Sequence, residues 1–227
     1  NPATDRALAA NFEARDLSGK AACKAALQRE MGLPVVDVPL VGVVSRLDFQ
    51  KGVGLLVESL ETLVQTTDAQ LVVLGSGYED LEEALRQASA AHPTRIAAWL
   101  GFSGALSRQI YAGSDLFLMP SLFEPCGLSQ MIAMRYGSLP VARATGGLVD
   151  TIVDRSEPDG FGYLFGPYLG EALVGALQRA LADYRDRESW MAAVRRAMVR
   201  DFSWDRSASG YIAVYQQALA SAGRAVG

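Results

Sequence analysis

The chain has 227 residues, a formal net charge of −4, half of its residues apolar and 20% charged. This length suits one large or two small domains with a substantial core, and the composition is that of an ordinary globular protein. The mild acidity argues against nucleic acid or an anionic membrane as a partner, because both attract basic surfaces. No apolar run reaches the roughly 18 residues of a membrane span.

Two residue types that often build reactive sites are scarce. Cys23 and Cys126 are too few for a disulfide framework, and their spacing fits no zinc site. His92 is the only histidine, which argues against a histidine-based catalytic dyad or triad and against a histidine-built metal site. We therefore predict no metal ion.

Short apolar, β-branched runs alternate with longer amphipathic stretches, which predicts βα units around a parallel sheet. Most of these runs are continuous, as strands covered on both faces should be. The predicted strands are residues 39–46, 70–74, 96–100, 116–119, 139–143 and 162–165. The predicted helices are residues 18–31, 52–66, 78–91, 106–113, 128–136 and 147–154, followed by a helical tail over 170–222 with breaks near Arg187 and at Ser203.

These elements predict an α/β fold, a single Rossmann-like, doubly wound parallel sheet with a helical C-terminal tail. The chain divides into a weakly patterned segment at 1–17, the Rossmann-like domain at 18–202 and a C-terminal helix at 203–227. Tyr211 and Tyr215 lie four residues apart on that helix. They form either a buried stripe or a docking face for something absent from this chain. In open sheets of this kind, ligands bind at the carboxyl ends of the strands.

Arg46 and Lys51 are two cations that flank the turn after the first predicted strand. A forked guanidinium and a mobile ammonium suit the two phosphoryl groups of a diphosphate. They can also neutralise the charge that develops on a departing diphosphate. The alternative is a pair of solvated surface cations.

Residues 121–130 carry the strongest single signal. Glu124 follows an apolar strand and precedes a helix that opens through Gly127, so a carboxylate lies beside free backbone N–H groups that attract anions. Ser129 falls in the first helical turn, where its hydroxyl can bond a phosphate or cap the helix. One short loop can therefore hold sugar hydroxyls and a phosphate, as a nucleotide-sugar site requires. The alternative for Glu124 is a carboxylate that only satisfies the helix dipole.

Other strand ends add weaker candidates. Gly75 and Gly77 allow the backbone to approach a ligand, although a tight strand-to-helix turn is the favoured explanation. Phe102 can stack on a nucleobase or pack at the rim. A second turn that favours anions follows the fifth strand and consists of Thr145, Gly146 and Gly147.

Three motifs together carry a family resemblance: Ser-Arg-Leu-Asp-Phe-Gln-Lys-Gly at 45–52, Phe-Glu-Pro-Cys-Gly-Leu-Ser-Gln at 123–130 and Ala-Thr-Gly-Gly-Leu-Val-Asp-Thr at 144–151. In order and spacing they resemble the bacterial glycogen synthase and plant starch synthase family. That family has two Rossmann-like domains facing a cleft, the glycosyltransferase-B arrangement. This chain resembles only the second domain, and 1–17 resembles the segment after the hinge. The resemblance implies that an N-terminal domain is missing and that the helix at 203–227 packs toward it.

The resemblance implies a role for each matching residue. Arg46 and Lys51 match the pair that grips the diphosphate of ADP-glucose, and Glu124 matches the essential acid near the donor glucose. Phe102 falls where the family often has a tyrosine stacked on adenine. Ile132 replaces a second glutamate that many relatives carry, so no carboxylate is expected at the ribose. The amides that meet the distal phosphate are implied to be those of Gly127, Leu128 and Ser129.

The implied activity moves glucose from ADP-glucose to the non-reducing end of an α-1,4-glucan with retention, without metal or cofactor. The implied partners are ADP-glucose, the glucan and the missing N-terminal domain, in bacterial cytoplasm or a plastid. Three alternatives remain: a nucleotide-sugar-binding module that is inactive alone, a UDP-glucose-dependent transferase of the sucrose or trehalose synthase type, and a regulatory domain that senses nucleotides. Cys126 weighs against the UDP-dependent type, and the joint presence of Arg46, Lys51 and Glu124 weighs against the sensor.

Overall fold

Six parallel strands form one sheet within the part of the chain that the computed structural model describes, residues 1–224. The strands are β1 (Leu40–Val44), β2 (Gln70–Gly75), β3 (Ile96–Leu100), β4 (Leu116–Met119), β5 (Leu139–Arg143) and β6 (Tyr163–Phe165). Their order across the sheet is β3-β2-β1-β4-β5-β6. This is the order of a doubly wound Rossmann-type sheet, so the predicted fold class is confirmed.

Helices connect the strands and cover both faces of the sheet. They are α1 (Ser18–Glu30), α2 (Val53–Thr66), α3 (Glu79–Ala91), α4 (Gly104–Gly113), α5 (Ser129–Arg135), α6 (Gly147–Thr151), α7 (Gly170–Tyr184), α8 (Arg187–Met198) and α9 (Trp204–Arg224). The breaks predicted near Arg187 and at Ser203 separate α7, α8 and α9. Among the described residues, no helix combines the length and the apolarity that crossing a bilayer requires.

The central strands are buried along their whole length. Every residue of β2 and β4 is buried, and β1 is buried from Leu40 to Val43. Helices on both faces shield these strands from water, and a strand in that position needs apolar side chains on both of its faces. The continuous apolar runs in the sequence therefore report the position of these strands in the middle of the sheet.

Two lysines, Lys20 buried and Lys24 half-buried, fasten α1 to the rest of the domain. Lys24 Nζ lies 2.6 Å from a carboxylate oxygen of Asp115, immediately before β4. Lys20 Nζ donates to three backbone carbonyl oxygens at the ends of α4 and α5, those of Ala112, Ser114 and Tyr136. Burial lowers the pKa of Lys20 to about 8, so most of this side chain is still an ammonium at pH 7. Each ammonium therefore has the polar partners that a buried charge requires.

The sheet reverses its winding direction between β1 and β4. From β1 the chain moves outward through β2 to β3, then returns to place β4 on the other side of β1. The loops that leave the carboxyl ends of β1 and β4 therefore go to opposite faces and leave a crevice between them. Lys51 follows β1 and Glu124 follows β4, so both lie at this crevice.

The last helix, α9, is exposed along its length. Its side chains are exposed from Trp204 to Ser221, with Tyr211 60% and Tyr215 64% accessible to solvent. The prediction of a buried stripe is therefore wrong within this chain. Periodicity identified an apolar face, but no other part of the described chain covers it. The proposed packing of 203–227 on another domain stays a prediction, and residues 225–227 lie outside the described part.

Asp154 ties β6 to the segment that follows α6. Its carboxylate accepts bonds from the amides of Ser156 and Leu164, at 2.9 and 2.6 Å, and from the Ser156 hydroxyl at 2.8 Å. The guanidinium of Arg179 lies 3.2 Å away. Burial disfavours the carboxylate, but the bonds from Arg179, Leu164 and Ser156 outweigh burial and lower the pKa of Asp154 to about 2.

Asp154→Asn should lower the free energy of unfolding at pH 7 by about 2 kcal/mol, because the carboxyl pKa rises from about 2 to 3.8 on unfolding. A depressed folded-state pKa stabilises the fold above the unfolded pKa, and this stabilisation is lost as the pH falls toward 2. Urea unfolding at pH 7 and pH 3 measures the difference, which should shrink to about half at pH 3.

The matched control is Asp159→Asn, an exposed position in the same loop with a φ of 60° that asparagine also tolerates. This variant should stay within about 0.5 kcal/mol of the wild type at both pH values. If Asp154→Asn lowered the free energy of unfolding equally at pH 7 and pH 3, the stabilisation would not come from the lowered pKa of Asp154.

Candidate functional site

Lys51 and Glu124 meet at the crevice between β1 and β4. Lys51 Nζ lies 2.7 Å from Glu124 Oε2, and the two side chains are only 22% and 7% exposed. The hydroxyl of Ser121 donates to the same oxygen at 3.3 Å. The structure therefore joins two of the three predicted catalytic residues into one partly buried, charge-neutral group.

The backbone of the loop that carries Glu124 is held from two sides. On the β1 side, the amide of Leu122 donates to the Gln50 carbonyl at 2.9 Å, and the Gln50 side chain donates to the Phe123 carbonyl at 3.4 Å. On the β5 side, the amide of Gly147 donates to the Glu124 carbonyl at 3.0 Å. The loop is fixed between its two neighbours before any ligand binds.

Glycines allow these loops to approach each other. A Cβ on Gly146 would lie 2.0 Å from the Glu124 carbonyl oxygen, and one on Gly147 would lie 2.5 Å from that of Cys126. Gly52 has a φ of 71°, and its Cβ would lie 1.9 Å from the Pro120 carbonyl oxygen. Any other residue at these three positions would push the Glu124 loop away. The predicted turn at 145–147 therefore acts on the site through packing, and its role in binding an anion stays a prediction.

Arg46 is not part of the Lys51–Glu124 pair. Its side chain is 67% exposed and forms an ion pair with Asp48 at 2.7 Å. Exposure leaves the guanidinium free to turn toward a ligand, since a surface ion pair contributes little to stability. The predicted grip of Arg46 and Lys51 on one diphosphate stays a prediction. In the ligand-free chain Arg46 instead pairs with the carboxylate of Asp48, and Lys51 pairs with that of Glu124.

The helix predicted to open through Gly127 begins at Ser129, and Gly127 has a φ of 75° that favours glycine. Beneath this turn the buried side-chain amide of Gln130 donates to the carbonyls of Cys126 and Gly127, at 3.1 and 3.0 Å. Leu128 is 68% exposed and Ser129 is the first helical residue. The role of Gly127, Leu128 and Ser129 in phosphate binding stays a prediction.

Gly75 and Gly77 have a packing function. A Cβ on Gly75 would lie 2.0 Å from the Ser45 carbonyl oxygen, and one on Gly77 would lie 2.0 Å from that of Leu47. Both glycines let the end of β2 lie against the segment that leads from β1 to Lys51. This supports the tight-turn explanation, and direct ligand contact stays a prediction.

Phe102 lies just beyond β3 and is 94% exposed. Its ring is therefore free to stack on a planar group such as a nucleobase. No contact within the described chain fixes its position, so the stacking role stays a prediction.

A small cavity of about 60 Å³ is lined by Lys51 and Ser121, the two residues that bond Glu124. Its floor is formed by the ends of β1 and β4, and its polar lining consists of Ser45, Lys51, Ser121 and Ser129. In the ligand-free chain the Ser45 hydroxyl donates to the Arg46 carbonyl, and Lys51 and Ser121 donate to Glu124. The sequence assigned no role to Ser45, Gln50 or Ser121, although the first two lie within the motif at 45–52 and Ser121 lies two residues before the motif at 123–130. Their position at strand ends is the signal that would have identified them.

Within the described residues, no three His, Cys, Asp or Glu side chains come together as a metal site would require. Glu124 already has Lys51 and Ser121 as partners. The prediction that neither metal nor cofactor takes part remains untested.

Comparison with known proteins agrees with this geometry. The model of the family described as glycosyl transferases group 1 matches residues 27–197. A glycogen synthase of Anaeromyxobacter sp. (strain Fw109-5) is 53% identical over 97% of this chain and 46% of its own length. Glycogen synthase 2 of Geobacter sulfurreducens is 50% identical over 96% of this chain and 46% of its own length. The chain spans about half the length of the curated relatives it matches.

Solved structures give the same result. The catalytic domain of starch synthase IV from Arabidopsis thaliana bound to ADP and acarbose matches with a TM-score of 0.88 and 40% identity, over 97% of this chain and 47% of that one. Sucrose-phosphate synthase from Thermosynechococcus elongatus matches with a TM-score of 0.64 and 26% identity, over 87% of this chain and 49% of that one. The resemblance to glycogen and starch synthases is confirmed. Since the family model covers most of its length, the chain belongs to the glycosyl transferases group 1 family.

Proposed function

We propose that this chain is the donor-binding half of an ADP-glucose-dependent α-1,4-glucan synthase. The observation that carries the proposal is the Lys51–Glu124 pair at the crevice between β1 and β4. This pair occurs in a chain that is 53% identical to a glycogen synthase and 40% identical to a starch synthase solved with ADP and acarbose. The reaction breaks the bond between the anomeric carbon and the phosphate oxygen of ADP-glucose. The anomeric carbon then bonds to the 4-hydroxyl oxygen at the non-reducing end of the glucan with retention, and the hydroxyl proton passes to the departing phosphate oxygen of ADP.

The two side chains have separate tasks in this proposal. Lys51 binds the diphosphate and stabilises its negative charge as ADP departs. Glu124 accepts hydrogen bonds from hydroxyls of the donor glucose and fixes its orientation. In the ligand-free chain Lys51 and Glu124 neutralise each other. Donor binding therefore gives each of the two side chains a new partner. The diphosphate replaces the carboxylate beside Lys51, and sugar hydroxyls replace the ammonium beside Glu124.

Arg46, Phe102 and the start of α5 complete the donor site in the proposal. Arg46 leaves Asp48 to bind the second phosphoryl group, and Phe102 stacks on adenine. The amides of residues 127–129 meet the distal phosphate. The open, exposed positions of Arg46 and Phe102 support these assignments, because neither side chain has to leave a buried site.

A second candidate is a nucleotide-sugar-binding module that transfers nothing alone. The chain spans 46% of the length of the glycogen synthase that it resembles, and this observation favours that behaviour for residues 1–227 in isolation. We propose that the glucan site lies mainly on the other half of the enzyme. Glucan synthesis by the isolated 227-residue chain would contradict this part of the proposal.

Lys51→Ala should weaken ADP binding by about 10- to 100-fold, since a charge-assisted hydrogen bond contributes about 1.5–3 kcal/mol. Titration calorimetry of the full-length enzyme with ADP measures the effect. The matched control is Arg86→Ala, which removes an exposed cation from an ion pair with Glu83 on α3. That variant should keep the wild-type affinity. Unchanged ADP binding by Lys51→Ala would remove the diphosphate assignment.

Glu124→Gln should have opposite effects on ADP binding and on catalysis. Removing the carboxylate charge frees Lys51 and removes repulsion toward the diphosphate, so ADP should bind about threefold more tightly or better. Transfer to glucan should fall by about 100-fold or more, since the sugar loses a charged partner. Calorimetry and glucose incorporation measure the two effects. Glu157→Gln, the same change at an exposed position, is the control. Weaker ADP binding by Glu124→Gln would argue against the exchange of partners.

The donor base separates the proposal from a UDP-glucose-dependent transferase. The match to sucrose-phosphate synthase is weaker than the match to starch synthase IV, with TM-scores of 0.64 and 0.88. We expect ADP-glucose to bind at least about tenfold more tightly than UDP-glucose, a difference of about 1.4 kcal/mol. Parallel calorimetric titrations of the two donors decide between them. Equal affinities would leave the adenine assignment of Phe102 without support.

A further inference from the structure

Arg143 lies at the end of β5, on the opposite side of the Glu124 loop from Lys51. Its Nη1 donates to the Leu122 carbonyl oxygen at 2.6 Å, and its Nε donates to the Gly166 carbonyl oxygen at 3.2 Å. The guanidinium also lies 5.7 Å from the centre of the Tyr168 ring. One side chain therefore connects the loop after β4 to the loop after β6.

Leu122, whose carbonyl oxygen accepts from Arg143, is also held from the other side. The Leu122 amide donates to the Gln50 carbonyl oxygen at 2.9 Å, in the loop after β1. Leu122 precedes Glu124 by two residues, so the start of its loop is fixed between the loops after β1 and β5. An arginine bond to a carbonyl is charge-assisted and stronger than one between neutral groups.

The geometry points to Arg143 as a positioning residue for Glu124, an inference that depends on the proposed function. In the ligand-free chain, Lys51 and Ser121 hold the Glu124 carboxylate directly. When the donor diphosphate takes Lys51, the carboxylate loses its charged partner at the moment when it must orient the sugar. The bonds to the loop backbone persist through this exchange. Arg143 and Gln50 thus keep Glu124 in place when its ion pair is broken.

A direct contact of Arg143 with the donor phosphates is the competing explanation. The geometry favours positioning, because Nε and Nη1 are already bonded to carbonyl oxygens of two different loops. A lysine keeps the charge but has one terminal nitrogen, which does not reproduce a forked bond to two separate loops. The conservative substitution therefore separates the two explanations.

The test uses the full-length enzyme with Arg143→Lys and Arg143→Ala. We expect both variants to lower kcat about tenfold or more, because misplacement of an orienting group reduces catalysis strongly. We also expect the affinity for ADP to stay within about twofold of wild type, and the preference for ADP-glucose over ADP to fall. Steady-state kinetics and calorimetry with the two nucleotides supply these readouts.

The matched control is Arg95→Lys. Arg95 also bonds two backbone carbonyls, those of Ala69 and Thr67 at 2.9 and 2.7 Å, but it lies before β3, at the amino end of the sheet. This variant should lower thermal stability by a similar amount and keep the wild-type kcat. The control therefore measures how much stability and kcat are lost when an arginine that bonds two backbone carbonyls is replaced outside the site.

Three results would overturn the inference. Full kcat in Arg143→Lys would show that charge alone suffices. If Arg143→Ala binds ADP more weakly and Arg143→Lys binds it with wild-type affinity, Arg143 contacts a phosphate directly. A kcat loss equal to that of Arg95→Lys would show a structural effect only. A wild-type enzyme that transfers no glucose would instead overturn the proposed function, and the ratio of ADP-glucose to ADP affinity would still test the position of Glu124.

Discussion

The ion pair between Lys51 and Glu124 is the interaction on which the rest of the site depends. The two residues are 73 positions apart in sequence, and they meet because β1 and β4 are neighbours in the sheet. A sequential strand order would separate them by two strands. The site is therefore a consequence of the crossover that builds the doubly wound sheet. The two charged side chains meet at the point where the winding of the sheet reverses, which is where ligands bind in such sheets.

Glycines make this meeting possible by allowing backbone to approach backbone. Gly52 faces the Pro120 carbonyl, and Gly146 faces the Glu124 carbonyl, at distances where a Cβ would collide. Gly75 and Gly77 do the same for the segment that leads to Lys51. A glycine-rich strand end is often interpreted as a cradle for a ligand. In this chain the glycines set the distance between the loops that carry Lys51 and Glu124.

Much of the fold followed from the sequence because its signals are local. Continuous apolar runs identified each strand to within two residues at either end, and strand ends directed attention to Lys51 and Glu124. Contacts between distant loops have no such signal. The bond from Arg143 to the Leu122 carbonyl, for example, does not follow from residue type or spacing. Periodicity on α9 likewise showed that Tyr211 and Tyr215 share a face, but not what covers it.

The neutral state of the empty site also bears on selectivity in the proposed reaction. A partly buried charge without a charged partner is costly, so Lys51 and Glu124 separate at a lower cost when a ligand replaces both partners. In the proposal, ADP-glucose brings a diphosphate for Lys51 and hydroxyls for Glu124, whereas ADP brings only the diphosphate and leaves the carboxylate with Ser121 alone. The proposed exchange of partners would therefore favour the sugar nucleotide over the product. In the same proposal, Glu124 pairs with Lys51 again after transfer and so helps to displace ADP.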